Sequence, residues 1–334
     1  MTVPRCFRRS RFSLPAAAAT LLLAWPGGAL FAGPVPAVST SKNVIEKVED
    51  RTTLDAFDLE ASYVGSSDFK DRQFGGRSGL PARSYGSQDE YHTVAEYSHR
   101  FLITGNLYLR AGLNYERFDF GTSFAPVPTT LQSVAGVIAL EYVVKNTPGF
   151  FIRSKPGIYF SNGRNIDAGN FDAPTDIGAV IEGTRIFSSL KGVYFLVGAH
   201  GSILGKNPVL PFGGVVWLIT DRLRLEALPP EPQLIYKLND KIDLIVGAEL
   251  IGQAYKRDRN PNYRAQDQRF NNGVIDYTEW RLGAGVSINI TKGIELDFTG
   301  GYVPQRDFDY YRGEGKRFKL EGAPYAKVAF KAEF

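Results

Sequence analysis

An alternation that confines charge to every second residue is the feature that most constrains this chain. In the last ten residues, Tyr325 to Phe334, an apolar row opposes a row that carries Lys327, Lys331 and Glu333. Successive side chains of a β-strand point to opposite faces, so one face of this segment suits an apolar environment and the other suits water. The same pattern recurs through most of the chain, for example over residues 279–290. The sequence therefore predicts an all-β protein with one apolar and one polar sheet face.

The alternating segments predict a transmembrane antiparallel up-and-down β-barrel. Fourteen strands are expected near residues 54–64, 89–99, 106–119, 131–144, 150–161, 175–187, 192–203, 209–219, 222–228, 232–238, 241–255, 275–290, 294–304 and 322–334. Short links alternate with long polar ones, as in barrels with tight turns on one rim and long loops on the other. Three prolines in the stretch from Leu225 to Leu234 interrupt pairing there, so twelve strands is the alternative count.

The final strand resembles the closing strand of bacterial outer-membrane β-barrel proteins. In that family a C-terminal Phe and spaced apolar residues before it form a signal for the barrel-assembly machinery. Val328, Phe330 and Phe334 match this pattern, whereas Ala332 stands where the family more often has an aromatic residue. The resemblance implies that the assembly machinery is a partner during biogenesis.

A second resemblance is carried by the segment LPPEPQLIYKLNDKIDLIVGAELIGQAY, residues 228–255. This stretch is similar to an uncharacterised group of outer-membrane barrels known only as a domain of unknown function. The resemblance implies the fold and a location in the outer membrane of a Gram-negative bacterium. It implies no activity.

The N-terminal segment has the pattern of a secretory signal peptide. Four arginines precede an apolar stretch that is followed by small residues, and the stretch is too short for a spanning helix. We predict a signal peptide over residues 1–37, with cleavage after Ala32 or Ala37. Residues 38–53 are expected to form a short periplasmic segment, and residues 54–334 the barrel.

Removal of this segment changes what the composition implies. The formal charge of the whole chain is +4, but four arginines and no acidic residue lie in the predicted signal, so the mature protein is near neutral. This disfavours a nucleic-acid partner. The only cysteine, Cys6, is also removed, which excludes thiolate metal sites. No cofactor and no metal site are expected, since His92 and His99 have no clustered ligands around them.

Lipid and lipopolysaccharide of the outer membrane are the expected partners of the mature protein. Basic residues are frequent in the predicted loops 255–270 and 304–320, where Arg and Lys could bind lipopolysaccharide phosphates. The pattern leaves the oligomeric state open.

Charges of both signs are interspersed along the predicted inward row. Such residues can line a wet passage, or they can pair across the lumen and seal it. The candidate lining residues are Arg110, Glu116, Arg153, Lys155, Arg224, Glu249, Glu279 and Arg281. The first hypothesis is therefore a passive channel or diffusion transporter for small solutes. A structural barrel with a charge-sealed lumen is equally compatible with the pattern.

Two further functions are alternatives. His200 and Ser202 lie two residues apart on one strand face, and in this respect they resemble outer-membrane phospholipases, in which His takes the Ser proton. Both side chains are predicted to face inward, however, and Gly214 stands where that family has its orienting Asn. We therefore expect no enzyme activity. A transporter of hydrophobic compounds is the other alternative, although the mature N-terminus lacks a long apolar plug.

The barrel prediction has a direct test on the purified mature chain. We expect the protein to require detergent and to migrate differently on a denaturing gel before and after boiling, because a closed barrel resists unfolding by the gel detergent. Chain kept in urea, loaded without boiling, is the control and should migrate like the boiled sample. Monodisperse behaviour without any amphiphile, or identical migration of both samples, would contradict the prediction.

Overall fold

The wall of the molecule is built almost entirely from β-strands. The computed structural model describes residues 55–70, 73–74, 83–84, 86–122, 124, 126–144, 147–162, 166–257, 259, 268–312 and 315–334. The predicted signal peptide, residues 1–37, and the predicted periplasmic segment, residues 38–53, lie outside the described residues.

The strand bounds and three short 3-10 turns define the elements of the described chain. The strands are β1 Asp55–Asp68, β2 Gln73–Phe74, β3 Arg83–Ser84, β4 Ser87–Thr104, β5 Leu107–Phe120, β6 Thr130–Val144, β7 Thr147–Ser154, β8 Gly157–Ser161, β9 Phe171–Asp172, β10 Thr175–Glu182, β11 Val193–Gly201, β12 Val209–Leu218, β13 Leu223–Ala227, β14 Gln233–Lys237, β15 Ile242–Lys256, β16 Val274–Thr291, β17 Ile294–Arg312, β18 Lys316–Leu320 and β19 Ala323–Glu333. The 3-10 turns are Ala168–Asn170, Gly183–Arg185 and Gln268–Phe270.

These strands make a closed antiparallel barrel with fourteen strands around its wall. β2 and β3 pair only with each other. The short strand β8 extends β7, β9 extends β10, and β18 extends β19, so each of these pairs counts as one wall strand. Around the ring the wall strands follow one another in the order β1, β4, β5, β6, β7, β10 to β17, and β19. The last of these, β19, pairs with β1. The prediction of fourteen strands is confirmed, and the alternative of twelve is wrong.

The ring closes where the last strand pairs with the first. Leu59 of β1 is opposite Phe330 of β19, and their neighbours continue the ladder in both directions. At the end of the seam Asp55 and Phe334 exchange both backbone hydrogen bonds, at 3.1 and 3.0 Å. Closure leaves neither edge of the sheet unpaired, which is what a bilayer requires because hydrocarbon offers backbone groups no partner.

The outer face of the ring carries the apolar row of the sequence pattern. Leu113 is 67% exposed, and many other Leu, Ile, Val and Phe side chains are more than one-third exposed on this face. In water such a surface would be an aggregation hazard, whereas hydrocarbon accommodates it. Exposed aromatic rings on this face include Tyr91, Tyr97, Tyr142, Trp280 and Tyr302. No helix in the described part of the chain is long and apolar enough to cross a membrane.

Three local features differ from the predicted segmentation. The segment from Pro304 to Leu320, expected as a loop, is a hairpin, because β17 continues to Arg312 and pairs with β18. Its residues keep alternating, and the pairing buries the rings of Phe308 and Tyr310. β10 ends at Glu182, and a 3-10 turn replaces its expected last residues. The proline-rich stretch after β13 runs beside β15, where the Pro230 and Pro232 carbonyls accept backbone hydrogen bonds.

Closure can be tested by a disulfide across the seam. In a Cys6→Ser background, the pair Leu59→Cys and Phe330→Cys is expected to oxidise readily, because directly opposed Cα atoms lie within disulfide range. The pair Leu59→Cys and Phe334→Cys is the matched control, since four residues of offset place its Cα atoms about 13 Å apart along the strand. Gel mobility without reductant measures both. Equal oxidation of the two pairs would contradict the register.

Candidate functional site in the barrel lumen

The inward row of β16 shows how the lumen is layered. From the end that carries the long connections toward the end that carries the short turns, it presents Tyr277, Glu279, Arg281 and Gly283. An aromatic ring, a carboxylate, a guanidinium and a glycine thus follow one another at every second residue. Neighbouring strands continue these layers, so the lumen has an aromatic part near the long connections and a charged part beyond it.

Arg281 is the centre of the charged part. Its side chain has no exposed surface, and its guanidinium donates to Glu279 Oε1 in a short hydrogen bond. The other nitrogens lie 3.6 Å from Glu90 and 3.7 Å from Glu249. Glu60, on the opposite side of the seam, is at 3.9 Å. One guanidinium therefore holds together carboxylates from four strands.

Lys327 of β19 extends this network. Its ammonium is 3.0 Å from Glu249, 3.5 Å from Glu60 and 3.9 Å from Glu231. Glu231 comes from the proline-rich connection between β13 and β14, so that connection supplies a charge to the lumen.

Carboxylates outnumber cations in this network. Its described members are five acids and three bases, Glu60, Glu90, Glu231, Glu249, Glu279, Arg281, Arg306 and Lys327. Buried carboxylates without full compensation tend to take up a proton or a cation. The network is therefore suited to attract positive charge.

Glycines make room for an aromatic ring beside this network. Gly247, Gly283 and Gly301 are paired across β15, β16 and β17, all on the inward row. A Cβ atom on Gly283 would lie 2.2 Å from the Tyr325 hydroxyl, so a larger residue would displace that ring. Tyr325 in turn lies 5.4 Å from the Arg281 guanidinium carbon, in cation–π geometry. The glycines thus position a ring that helps to hold the central arginine.

A second charged cluster lies on β4 and β7. Glu96 accepts from Arg153 at 2.5 Å and from Lys155 at 2.9 Å. Asn114 donates to the same carboxylate at 3.2 Å. Glu96 is 7% exposed, so two cations and an amide satisfy a carboxylate that is almost fully buried.

The other predicted lining residues are on the inner face, in separate pairs. Glu116 binds His92 Nε2 at 3.0 Å, and Arg110 lies 3.8 Å from Glu141. Arg224 lies 2.6 Å from Glu226 in a buried pair. The structure thus brings Glu249, Glu279 and Arg281 into one network, and His92, 3.9 Å from Glu60, links Glu116 to it. Arg153 and Lys155 lie in another cluster, and Arg110 and Arg224 lie apart from both.

A cavity of about 200 Å³ lies among these charges. Glu116, Lys155 and Glu249 of the predicted residues line it, together with Glu231 and Gln253. A dry engineered cavity of about 150 Å³ binds benzene, so this space is large enough for a small organic molecule.

An aromatic layer fills the lumen beyond the cavity, toward the long connections. Its rings, all nearly or fully buried, are Phe69, Phe118, Phe120, Phe124, Tyr159, Tyr255, Phe270, Tyr277, Phe308, Tyr310 and Phe318. Phe120 contacts Phe308 at 5.1 Å and Tyr277 at 5.4 Å between ring centroids, both edge to face. These geometries are favourable for aromatic pairs. The layer therefore occupies this end of the lumen.

Loop contacts hold the aromatic layer in place. Arg257 and Tyr310 both donate to the Pro126 carbonyl in short hydrogen bonds, and Arg257 also donates to the Tyr310 hydroxyl at 2.8 Å. Pro126 belongs to the connection between β5 and β6, so the layer is tied to a loop that folds over it.

A buried acid, Asp276, lies on β16 between Trp280 and the end of the strand that carries the long connections. Asp276 is 1% exposed and is paired in register with Asp309 of β17. Two buried carboxyl groups therefore face each other across this pair of strands. Lys206, from the connection between β11 and β12, binds Asp309 at 2.8 Å. These contacts order the rim above the aromatic layer.

The His200 and Ser202 pair does not form a nucleophile and its base. Ser202 Oγ donates to Asp172 Oδ2 at 2.6 Å, and it accepts from the Gly205 backbone N–H at 2.8 Å. His200 Nδ1 is 2.9 Å from Asp176. Both side chains face inward and are buried, as predicted. The serine is therefore part of a turn, and the geometry does not support acyl transfer.

Sequence reasoning missed the aromatic layer and three members of the charged network, Glu90, Glu231 and Arg306. Glu231 lies in a stretch whose prolines hide it from strand pattern analysis. Arg306, 3.5 Å from Glu90, lies in the segment expected as a loop. The alternation of Arg306, Phe308 and Tyr310 was the signal that could have identified this segment as an extension of β17.

Comparisons with known proteins extend only to the fold. No model of a protein family matches the chain, and no curated protein matches it. An outer membrane channel from Pseudomonas putida F1 is similar in structure at 9% identity, with 84% of this chain and 96% of that chain covered and a TM-score of 0.42. A toluene transporter from Ralstonia pickettii has 12% identity, coverage of 84% and 90%, and a TM-score of 0.29.

The outer membrane protease OmpT from Escherichia coli is also similar, at 9% identity, with 85% of this chain and 97% of that chain covered and a TM-score of 0.26. These likenesses concern the barrel and transfer no activity. The resemblance of residues 228–255 to a group of unknown function stays a prediction.

Removal of the central guanidinium tests the charged network. Arg281→Ala is expected to destabilise the barrel by about 3–5 kcal/mol, because the buried carboxylates around it lose their shared cation. Urea unfolding of barrels folded into phospholipid vesicles, followed by tryptophan fluorescence, measures the loss. Lowering the pH should restore part of it by protonating the carboxylates.

Arg117→Ala is the matched control for this experiment. Arg117 pairs with Asp119 on the outer surface, where both side chains are about two-fifths exposed, so its loss should cost less than about 1 kcal/mol. Equal losses in the two variants would contradict the central role of Arg281.

Proposed function

We propose that this protein is an outer-membrane channel for the diffusion of small solutes, closed in the observed state by the aromatic layer. The cavity of about 200 Å³ in the charged part of the lumen carries this proposal. A barrel built only for mechanical support has no need of such a space, because its side chains could fill it. An interior that holds both charge and open volume is what a hydrated path requires.

The barrier in this proposal is the aromatic layer rather than the charged network. The rings of Phe120, Tyr277 and Phe308 pack against one another across the lumen, and the loop contact at Pro126 secures Tyr310 beside them. Edge-to-face contacts between rings are individually worth about 0.5–1.5 kcal/mol. Local rearrangement of a few rings is therefore cheap compared with disruption of the ion network, and it would open the path.

The orientation in the membrane follows from the lengths of the connections. In bacterial barrels short turns face the periplasm and long loops face outward. The aromatic layer then closes the extracellular end, and the cavity lies on its periplasmic side. The proposed location is the outer membrane of a Gram-negative bacterium after cleavage of the signal peptide.

Two partner assignments accompany this proposal. Val328, Phe330 and Phe334 are on the apolar, outward row of β19, where the barrel-assembly machinery could bind them during closure. Lipopolysaccharide is the proposed partner of the basic groups at the long-loop rim. Arg306 and Arg317 do not contribute to this contact, because Arg306 is buried in the lumen and Arg317 binds Asp307 at 2.6 Å.

Single-channel recording in planar bilayers tests the channel and its barrier. The wild-type protein should give small conductance steps, and the double variant Phe120→Ala and Phe308→Ala should give steps several-fold larger, because it removes two rings of the barrier. Phe298→Ala is the matched control, since that ring is on the lipid-facing surface.

Three outcomes would contradict parts of this proposal. Absence of steps above an empty-detergent background in both the wild type and the double variant would reject the channel and leave a structural barrel. Steps of equal size in these two proteins would reject the aromatic layer as the barrier. An effect of Phe298→Ala as large as that of the double variant would show that the change is not specific to the lumen.

A further inference from the structure

We propose that the lumen cavity binds a small organic cation with an aromatic or apolar body, so that the solute of the channel is an amine of this class. This inference rests on the proposed channel function and deepens it by assigning a chemical class. Three observations carry it. They are the surplus of carboxylates, the apolar part of the cavity next to the aromatic layer (its upper part), and polar atoms there that make no hydrogen bond to a described residue.

Carboxylates exceed cations around the cavity. Among the described lining residues there are eight Asp or Glu side chains and three lysines. Each lysine already contacts a carboxylate, as Lys331 does with Asp297 at 3.1 Å. Counting the buried guanidiniums of Arg153 and Arg281, which contact the same acids, eight carboxylates face five cations. The carboxyl groups thus outnumber the cations by three, and protonation of His92 would reduce this excess to two.

The cavity also has an apolar side. Along β15 the inward residues Glu249, Ile251 and Gln253 line it in this order, approaching the aromatic layer at Tyr255. Tyr159 lines the same upper part. A ligand with a cationic head among the acids therefore has an apolar surface and rings above it for its body.

Two buried polar atoms are left without a hydrogen bond at this upper part. Gln253 is 7% exposed and lines the cavity, and its Nε2 makes no hydrogen bond to a described residue. His92 is 3% exposed, and its Nδ1, 3.9 Å from Glu60, likewise makes no hydrogen bond among these residues. Unpaired buried polar atoms are costly, so the cavity is set up to receive a ligand with a hydrogen-bonding group on its body.

An inorganic metal ion fits these observations less well. Among the residues that the structure describes, no three His, Cys, Asp or Glu side chains converge on one point as metal ligands. The carboxylates are instead spread over the cavity wall, and lysine and arginine side chains lie between them. An ammonium on an organic body matches this arrangement, because it needs only one or two carboxylates within reach.

The test measures binding directly, by equilibrium dialysis of the detergent-solubilised, folded barrel against tyramine. Tyramine has an ammonium, a ring and a phenol oxygen that can accept from Gln253 Nε2. Tyrosol, in which a hydroxyl replaces the ammonium, is the neutral control of the same shape, and 4-hydroxyphenylacetate is the anionic control. We expect saturable binding of tyramine, with the two controls at least about tenfold weaker.

Two variants locate the site. Glu231→Gln removes a carboxylate on a connection outside the strand ladder, so the barrel should still fold, and tyramine binding should weaken roughly tenfold. Gln253→Leu should weaken tyramine but leave phenethylamine, which lacks the phenol oxygen, unchanged. Asp119→Asn on the outer surface is the matched control and should have no effect. Gel migration before and after boiling verifies folding of each variant.

Several results would overturn the inference. These are equal binding of tyramine and tyrosol, unchanged binding in Glu231→Gln, absence of saturable binding by the wild type, or equally effective displacement of tyramine by sodium ions. The channel proposal fails separately, since it depends on conductance. Tyramine binding without conductance would retain the site and reject the channel, and conductance without tyramine binding would do the reverse.

Discussion

The requirement that every backbone polar group find a partner inside the protein is the constraint on which this structure depends. In hydrocarbon, a free sheet edge costs several kcal/mol for each unpaired group, so a spanning sheet must close. The seam between β1 and β19 meets this requirement with a continuous ladder that ends at Asp55 and Phe334. Closure then creates the lumen, because alternate side chains of every strand have nowhere to point except inward.

The interior that results differs in kind from the core of a soluble protein. Near the long connections it is filled by rings, and farther along it is filled by ions around Arg281 and Lys327. The ions come from strands on both sides of the seam, so the network also links the first and last strands of the barrel. Buried ion pairs contribute uncertain net stability, but they fix which groups face each other. Between the rings and the ions lies a cavity whose wall is rich in carboxylates.

Much of this architecture could be predicted from the pattern of residues. Alternation predicted the strands and the inward rows, including Arg153, Glu249 and Arg281, because the period of a strand is a local property. Alternation could not predict which inward residues meet, since contacts such as Lys327 with Glu249 depend on the register and curvature of strands that are far apart in sequence. Glu231 was missed for a different reason, as prolines remove the periodic signal. The hairpin from Pro304 to Leu320 was missed although its alternation was visible, because its charges resembled those of a loop.

By itself the sequence determined a closed barrel of fourteen or twelve strands with charge inside, since period, parity and the sorting of link lengths are all local properties that a single chain displays. The tertiary structure alone decided that the strands number fourteen, that rings fill one end of the lumen, and that five carboxylates share three cations. It also decided that Ser202 hydrogen-bonds Asp172 and the Gly205 backbone. The physical reason is the same in each case: these outcomes depend on distances between residues that only the closed ring brings together.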